Sequence, residues 1–419
     1  MPLGLYISVP FCRTKCSYCN FASDVFSKSA YENYVARLLE DIANARQLAA
    51  DLSCALEETA DSIYLGGGTP SILEAAQLLR LFAAVRNHFA ITPDAEVTVE
   101  CAPGTLTPAL IETLLQCGVN RVSLGVQSFV DQEAQSVGRL HKRSTVLEEI
   151  ARLREAGLAN ISIDLIAGLP HQTADSWAYS VAEMIATGVP HASVYMLEVD
   201  EDSRLGRELI AGGARYHAHF VPNEDATADF YQLACEMLAA AGIVQYEISN
   251  FARAVAPSGV SQLRSSESRH NLKYWTRQPY VGFGVDAHSM LTAEFSNEDH
   301  HQGEGYQAVR FATPDSLDAY MNRAPRTVTP VSEQAAIEEG FFLGLRLNRG
   351  IDIEGLQQEP HPEMVAAWEA AIQQSLREGL LEQQGATLRL TARGRLLSNE
   401  VFARFLAEEK VGTGHVNPR

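Results

Sequence analysis

The sequence predicts an α/β protein: a parallel sheet of six strands joined by helical crossovers, then an extension, then an α+β domain of winged-helix order at the C-terminal end. Three observations carry the prediction. Short β-branched and aromatic runs alternate with segments whose apolar residues recur at helical spacing, the pattern of βαβ units. Glycines, carboxylates and amides gather where the strand runs end, the edge at which α/β folds place their sites. Beyond Val331 the rhythm changes to apolar helices followed by a short hairpin. From pattern alone, a doubly wound open sheet fits equally well.

The first strand is Leu5, Tyr6, Ile7 and Val9, closed by Pro10, and the loop leaving it carries Cys12, Cys16 and Cys19. Ser29 with Glu32 reads as a capping box for the first crossover helix, whose apolar face is Tyr34, Val35, Leu38, Leu39 and Ile42. Ser62 to Leu65 is the second strand and runs straight into Gly66, Gly67, Gly68, Thr69 and Pro70. Further strands follow at Glu96 to Cys101, Arg121 to Val126, Ile161 to Ile166 and Ala192 to Leu197. Between them lie a helix from Pro108 to Gln116 with Thr107 as N-cap, one opened by Thr145 and Glu148, and one from Ala174.

Asp200 to Asn223 is acidic, then rich in Gly and His, and reads as a loop or short helix outside the sheet. A helix over Ala226 to Ala241 opens the extension. Its β-like runs, Gln245 to Phe251 and Tyr280 to Leu291, flank a Ser-rich insert, Arg253 to Ser268, that reads as a mobile surface loop, and the motif RHNLKYW at 269–275. The C-terminal helices carry Ile337, Phe341, Phe342 and Leu345, then Val365, Trp368, Ile372 and Leu376, ahead of a hairpin at Gln384 and Gly385. The expected domains are 1–225, 226–330 and 331–419, and the polar tail beyond Glu409 reads as frayed.

A chain of 419 residues, 46% hydrophobic and 20% charged, has an ordinary globular balance. The sequence has neither a long apolar run nor a signal-peptide start, so a cytoplasmic location is expected. A net charge of −19 opposes nonspecific attraction to nucleic acid or anionic lipid. The winged-helix-like segment from 331 holds nine Lys/Arg against thirteen Asp/Glu, so it reads as a packing domain, not a DNA reader. Seven cysteines argue against a disulfide framework, and Cys54, Cys101, Cys117 and Cys235 read as isolated buried thiols.

The triplet CxxxCxxC is different. Thiolates are the usual ligands of a 4Fe-4S cubane, so three on one loop leave one iron without a protein ligand. A structural zinc site normally closes with four ligands, and unrelated cysteines are usually scattered. The glycine run after the second strand permits positive φ and lets backbone amides approach a ligand, although plain turn chemistry uses the same residues.

Taken together, the triplet, Tyr18 just before Cys19, and GGGTP at 66–70 resemble the signature of radical S-adenosylmethionine (SAM) proteins. VPFC and YCNF narrow the resemblance to the oxygen-independent coproporphyrinogen III oxidase-like family and its haem chaperones. That resemblance implies an incomplete (β/α)6 TIM-like barrel, a 4Fe-4S cluster on Cys12, Cys16 and Cys19, and SAM on Gly67, Gly68, Thr69, Glu100, Gln127, Arg139 and Asp164, with Tyr6 and Tyr18 beside the cluster. Carboxylates suit the ribose hydroxyls and the sulfonium or ammonium charge, and Arg139 suits the SAM carboxylate as a bidentate pair. It further implies haem as ligand, with His270 of RHNLKYW tested first and His288 as fallback, and Tyr274 and Trp275 packing on the porphyrin. The motif-free reading of His270 is a core histidine satisfied by a backbone carbonyl, with Tyr274 and Trp275 as ordinary packing.

Within the family, true oxidases carry a fourth cysteine two residues after the third, where this chain has Phe21, and an N-terminal extension, whereas Cys12 here lies close to residue 1. The expectation is a haem chaperone that binds haem and passes it to acceptor proteins, some reached peripherally at a membrane, without nucleic-acid partners. The alternatives are a coproporphyrinogen dehydrogenase of porphyrin biosynthesis, an oxidoreductase, and a radical SAM enzyme that modifies haem.

Overall fold

The computed structural model describes residues 1–253, 266–294, 306–354 and 362–406. Most of the Arg253 to Ser268 insert, and the tail beyond Glu409, lie outside them. The chain forms two compact units, Met1–Glu333 and Gln334–Arg419, so the extension at 226–330 belongs to the first.

The crossover region runs β1 (Leu3–Val9), α1 (Lys28–Ala43), α2 (Ala45–Asp51), β2 (Thr59–Gly67), α3 (Ala75–His88), β3 (Ala90–Cys101), α4 (Pro108–Gln116), β4 (Arg121–Gln127), α5 (Asp131–Ser136), α6 (Arg143–Glu155), β5 (Ile161–Ala167), α7 (Ala174–Ala186) and β6 (His191–Met196). The extension adds α8 (Arg204–Ala211), α9 (Glu224–Ala240), β7 (Ile243–Gln245), β8 (Asn250–Arg253), α10 (Arg269–Trp275), β9 (Tyr280–Phe283), β10 (His288–Thr292), β11 (Tyr306–Ala312) and β12 (Thr327–Ser332).

Strands β1 to β6 are all parallel, and each pairs with the next in chain order. A doubly wound sheet would reverse its order at a switch point; here there is no reversal. Nor does β6 close onto β1: β6 pairs antiparallel with β8, and the free edge of β1 takes β9 in parallel. The result is the incomplete (β/α)6 barrel, extended at both edges into a 12-stranded sheet.

Side chains alternate strictly along these strands. Leu5, Ile7, Ile63, Leu65, Val97, Val99, Val122, Leu124, Ile161 and Ile163 form one buried apolar face. The intervening residues are polar and bond one another across the lumen: Tyr64 Oη donates to Glu100 Oε1 (2.8 Å), Ser123 Oγ donates to Asp164 (3.1 Å), and Ser162 Oγ meets His191 Nδ1 (2.7 Å).

Helix α10 closes the end of the lumen at which the strands begin. Its first amides, on Arg269 and His270, donate to the buried Glu96 carboxylate (3.0 and 3.1 Å), which suits the positive end of a helix. Lys273 Nζ donates to Pro2 O (2.8 Å) and Gln278 Oε1 (3.2 Å) and lies 2.7 Å from Asp61 Oδ1, an ion pair without hydrogen-bond alignment.

Several local expectations change. Ser27, not Ser29, stands at the N-cap position of α1, its hydroxyl meeting Ser29 Oγ instead of a helix amide, and Glu32 is spent on Arg80. Helix α6 starts at Arg143, so Thr145 lies inside it. The sequence reading places no helix between β2 and β3, where α3 begins with a reciprocal Glu74–Gln77 capping box. Each β-like run of the extension is two antiparallel strands, since the chain turns back at Glu247 to Ser249 and at Gly284 to Ala287. Thr107 caps α4 as expected, accepting from Leu110 N.

In the second unit, helices Glu333–Arg346 and Pro362–Arg377 precede a hairpin of Leu381–Gln384 and Thr387–Leu390, joined by Ile351–Asp352 as a third strand. Gly385 turns the hairpin at φ +60°. Phe341, Trp368 and Phe405 form its aromatic core. Among the described residues no helix is long and apolar enough to cross a membrane.

Candidate cofactor site at the barrel mouth

Parallel strands deliver their C-terminal ends to one mouth, and the expected residues arrive there one strand at a time. β1 leads to the cysteine loop, β2 ends at Gly67, β3 carries Glu100 one residue before its end, β4 ends at Gln127, and Asp164 stands on β5. Together with Tyr18, Gly68, Thr69 and Arg139 they line a cavity of about 340 Å³. Tyr6 and His270 instead line an adjoining cavity of about 520 Å³; Glu100, Gly67 and Gly68 form walls of both.

All three thiols face the first cavity. Burial pushes the Cys12 and Cys19 thiols above their ordinary range, so a metal that claims them must displace protons from a desolvated site. Thr69 Oγ1 donates to Cys12 Sγ (3.8 Å) and Arg139 Nη1 to Cys16 Sγ (3.6 Å), donors that stabilise thiolate charge. Gly68 leaves the loop its room: a Cβ there would stand 2.7 Å from Phe11 O and 3.0 Å from Cys12 Sγ. Cys101 also reaches the cavity wall, but its Sγ turns back to Val99 O (3.8 Å).

The SAM-side residues fit a small polar cation. Gln127 adopts φ +70°, rare for a residue with a Cβ, and its buried Oε1 has no protein partner. An unsatisfied buried acceptor lining a cavity is a group prepared for a ligand. Gly67, at φ +105°, donates its amide to Glu100 Oε2 (3.1 Å). Burial, against the Tyr64 hydrogen bond and with the Asp164 charge, pushes the Glu100 carboxyl up to about 7, and burial raises Asp164 as well.

Arg139 departs from its expected role. Its guanidinium donates to Cys16 Sγ and to Gly125 O, so in this conformation it braces the cysteine loop against β4. Burial works against its charge, but the neighbouring Cys16 and Tyr18 hold its pKa above the ordinary value.

His270 is 1% exposed, with Nδ1 on Ser62 Oγ (3.0 Å) and Nε2 on Tyr274 Oη (2.8 Å). Burial, aided by Lys273, lowers its pKa to about 3. Both ring nitrogens of the histidine expected to be tested first as haem ligand are therefore committed to the barrel floor. His288 is exposed on the same cavity, 3.6 Å from Asp286. Sequence reasoning missed Tyr64, Ser123 and Tyr195, whose polar period-2 alternation inside parallel strands was the available signal.

Residues 6–183 match the model of the radical SAM superfamily, and residues 331–397 match the HemN C-terminal domain. "Heme chaperone HemW" of Bacillus subtilis is 32% identical over 410 residues, spanning 96% of this chain and 99% of that protein. "Heme chaperone HemW" of Lactococcus lactis is 30% identical over 412 residues, spanning 97% and 98%. The solved structure of coproporphyrinogen III oxidase (HemN) from Escherichia coli, described as a radical SAM enzyme, superposes with a TM-score of 0.78 at 21% identity, over 96% of this chain and 90% of that one. At that identity the match speaks for the fold alone. Full-length likeness above the barrel's own boundaries decides between branches, and this chain belongs to the Heme chaperone HemW family of radical SAM proteins.

Proposed function

We propose that this chain is a cytoplasmic haem chaperone that binds haem and delivers it to acceptor proteins, including acceptors it reaches peripherally at a membrane. The observation that carries this reading is the full-length identity of 30–32% to proteins named as heme chaperones. Phe21, standing in the mouth where oxidases place a further cysteine, agrees with it.

In this reading Cys12, Cys16 and Cys19 hold a 4Fe-4S cluster, and Glu100, Gln127, Asp164 and the Gly67–Thr69 turn hold SAM. When bound, the pair supplies a one-electron reductant next to a sulfonium. The chain's own contributions are positional: Gly68 lets the cysteine loop close on the turn, Arg139 and Thr69 donate to the thiolates, and Glu100 and Asp164 offer negative charge to a cationic ligand.

Anaerobic protein loaded with haem is expected to transfer it to an apo-acceptor, and to leave coproporphyrinogen III unchanged. Protoporphyrinogen formation at the rate of a true oxidase would reverse the assignment and favour the dehydrogenase reading.

The raised Glu100 pKa gives SAM binding a pH dependence. Its carboxylate form attracts the cation, so affinity rises with pH through about 7, by about ten-fold between one unit below and one above. Because the folded state holds this proton more tightly than the unfolded chain, the same group removes fold stability as pH climbs from 4.5 to about 7. Calorimetry across that range should show the slope in wild type and a flat profile in Glu100→Gln; parallel profiles would take Glu100 out of the SAM site.

A further inference from the structure

The loops after β5 and β6 lie on the same rim as the mouth, and they bring together histidines distant in sequence. His171 Nε2 stands 3.3 Å from His217 Nδ1. Both residues hold left-handed backbone, at φ +68° and +61°, a conformation that costs energy for a residue with a Cβ. The His171 ring packs on Phe220 at 4.1 Å, the His219 ring lies 4.2 Å from Phe220, and His171 N donates to Phe220 O (3.0 Å). Burial and the two neighbouring histidines lower the His171 pKa.

The segment that carries His217, from α8 to Phe220, exposes apolar and cationic side chains in a chain of net charge −19. Phe220 is 48% exposed, and α8, which packs against its turn, exposes Leu209 (54%) and Ile210 (67%). Beside them a pocket of about 550 Å³ is lined by Arg204, Arg207 and Arg215. The Glu208 carboxylate in that pocket is spent on the amides of Tyr216 and Ala218, which fixes the pocket to the histidine turn.

We infer that haem docks on this rim, with His217 Nε2 as axial ligand, Phe220, Leu209 and Ile210 against the porphyrin, and the Arg207 and Arg215 side of the pocket taking the propionates. The assignment rests on the haem-chaperone reading above. With the His217 Nδ1 proton donated to His171, the lone pair of His217 falls on Nε2, and a hydrogen-bonded second group is how ligating histidines are normally oriented. His171 is thus a positioning residue. Exposed apolar surface suits the macrocycle, and guanidinium forks suit carboxylates. The second barrel cavity offers less: among the described residues its walls carry Glu100 and Asp286 but no Lys or Arg, and its deeper histidine is committed to Ser62 and Tyr274. Helix α8 also ties the rim to the cysteine loop, Leu205 N donating to Ser17 O (2.8 Å).

Haem titrated into the full-length protein tests this. Asparagine tolerates left-handed backbone, so His217→Asn and His171→Asn remove imidazoles without adding strain. His217→Asn should lose the wild-type Soret spectrum, and His171→Asn should keep a shifted Soret with affinity lower by about ten-fold. The double variant Arg207→Gln/Arg215→Gln, which leaves both imidazoles in place, should weaken binding without moving the Soret maximum. Superimposable titrations for wild type and His217→Asn overturn the site, and a loss confined to His288→Ala would move haem into the second cavity with the chaperone reading intact. Absence of haem uptake by wild type would sink that reading and this site with it.

Discussion

Replacing Cys12, Cys16 and Cys19 together with Ala is expected to remove all bound iron and the brown colour of anaerobically reconstituted protein. Each thiol lies on one loop and faces the same cavity, so no remaining pair can hold a cubane whose ligands are thiolates. Cys101 is the informative control. It reaches the cavity wall but sits on β3 with its sulfur turned to Val99 O, so Cys101→Ala should keep about four irons per chain. Iron and sulfide analysis decides the matter: a triple variant that still holds a full cluster, or a Cys101 variant that loses it, would assign the ligands elsewhere. The loop change should leave the barrel folded, because the strand before it is held on both edges by β2 and β9.

A second large effect is expected at the barrel floor. Lys273 is 1% exposed, and removing its side chain leaves Asp61 without its counter-charge and Pro2 O and Gln278 Oε1 without their donor. Breaking one side of a buried pair costs about 3–5 kcal/mol, and Asp61, still partly reached by solvent, puts Lys273→Ala at about 3 kcal/mol. Denaturant unfolding should show that loss in the first unit. In Lys273→Met with Asp61→Asn the charge goes unpaired on neither side, and much of the stability should return. A single variant within about 0.5 kcal/mol of wild type would mean that α10 is not anchored through this lysine.

These two sites differ in how far they could be read in advance. The cysteine triplet, the glycine turn and the strand rhythm are local: spacing and periodicity within a few residues already express the loop, the positive φ and the alternation that the backbone requires. That is why Cys12 to Cys19, Gly67, Glu100, Gln127 and Asp164 could be placed at the strand ends and six parallel strands counted, while their assignment to a cluster and SAM came from the family resemblance. The missing helix α3 and the displaced caps of α1 and α6 are errors of the same local kind.

Partner choice is another matter, because it is settled between residues far apart in the chain. His270 meets Ser62 across 208 positions, and Lys273 meets Pro2 across 271. Nothing near RHNLKYW distinguishes an imidazole open to haem iron from one that closes a barrel. Only the packing of α10 against the start of β1 and β2 commits those nitrogens. The same holds for Arg139, drawn to Cys16 across 123 positions, and for His171, which reaches His217 only because successive parallel strands set their exit loops side by side on one rim. By itself the sequence determined which chemical groups this protein owns and at which end of its strands they emerge. The tertiary structure alone decided which of them remain free to bind, since a donor already satisfied in a buried contact gives up that hydrogen bond before it can serve a ligand.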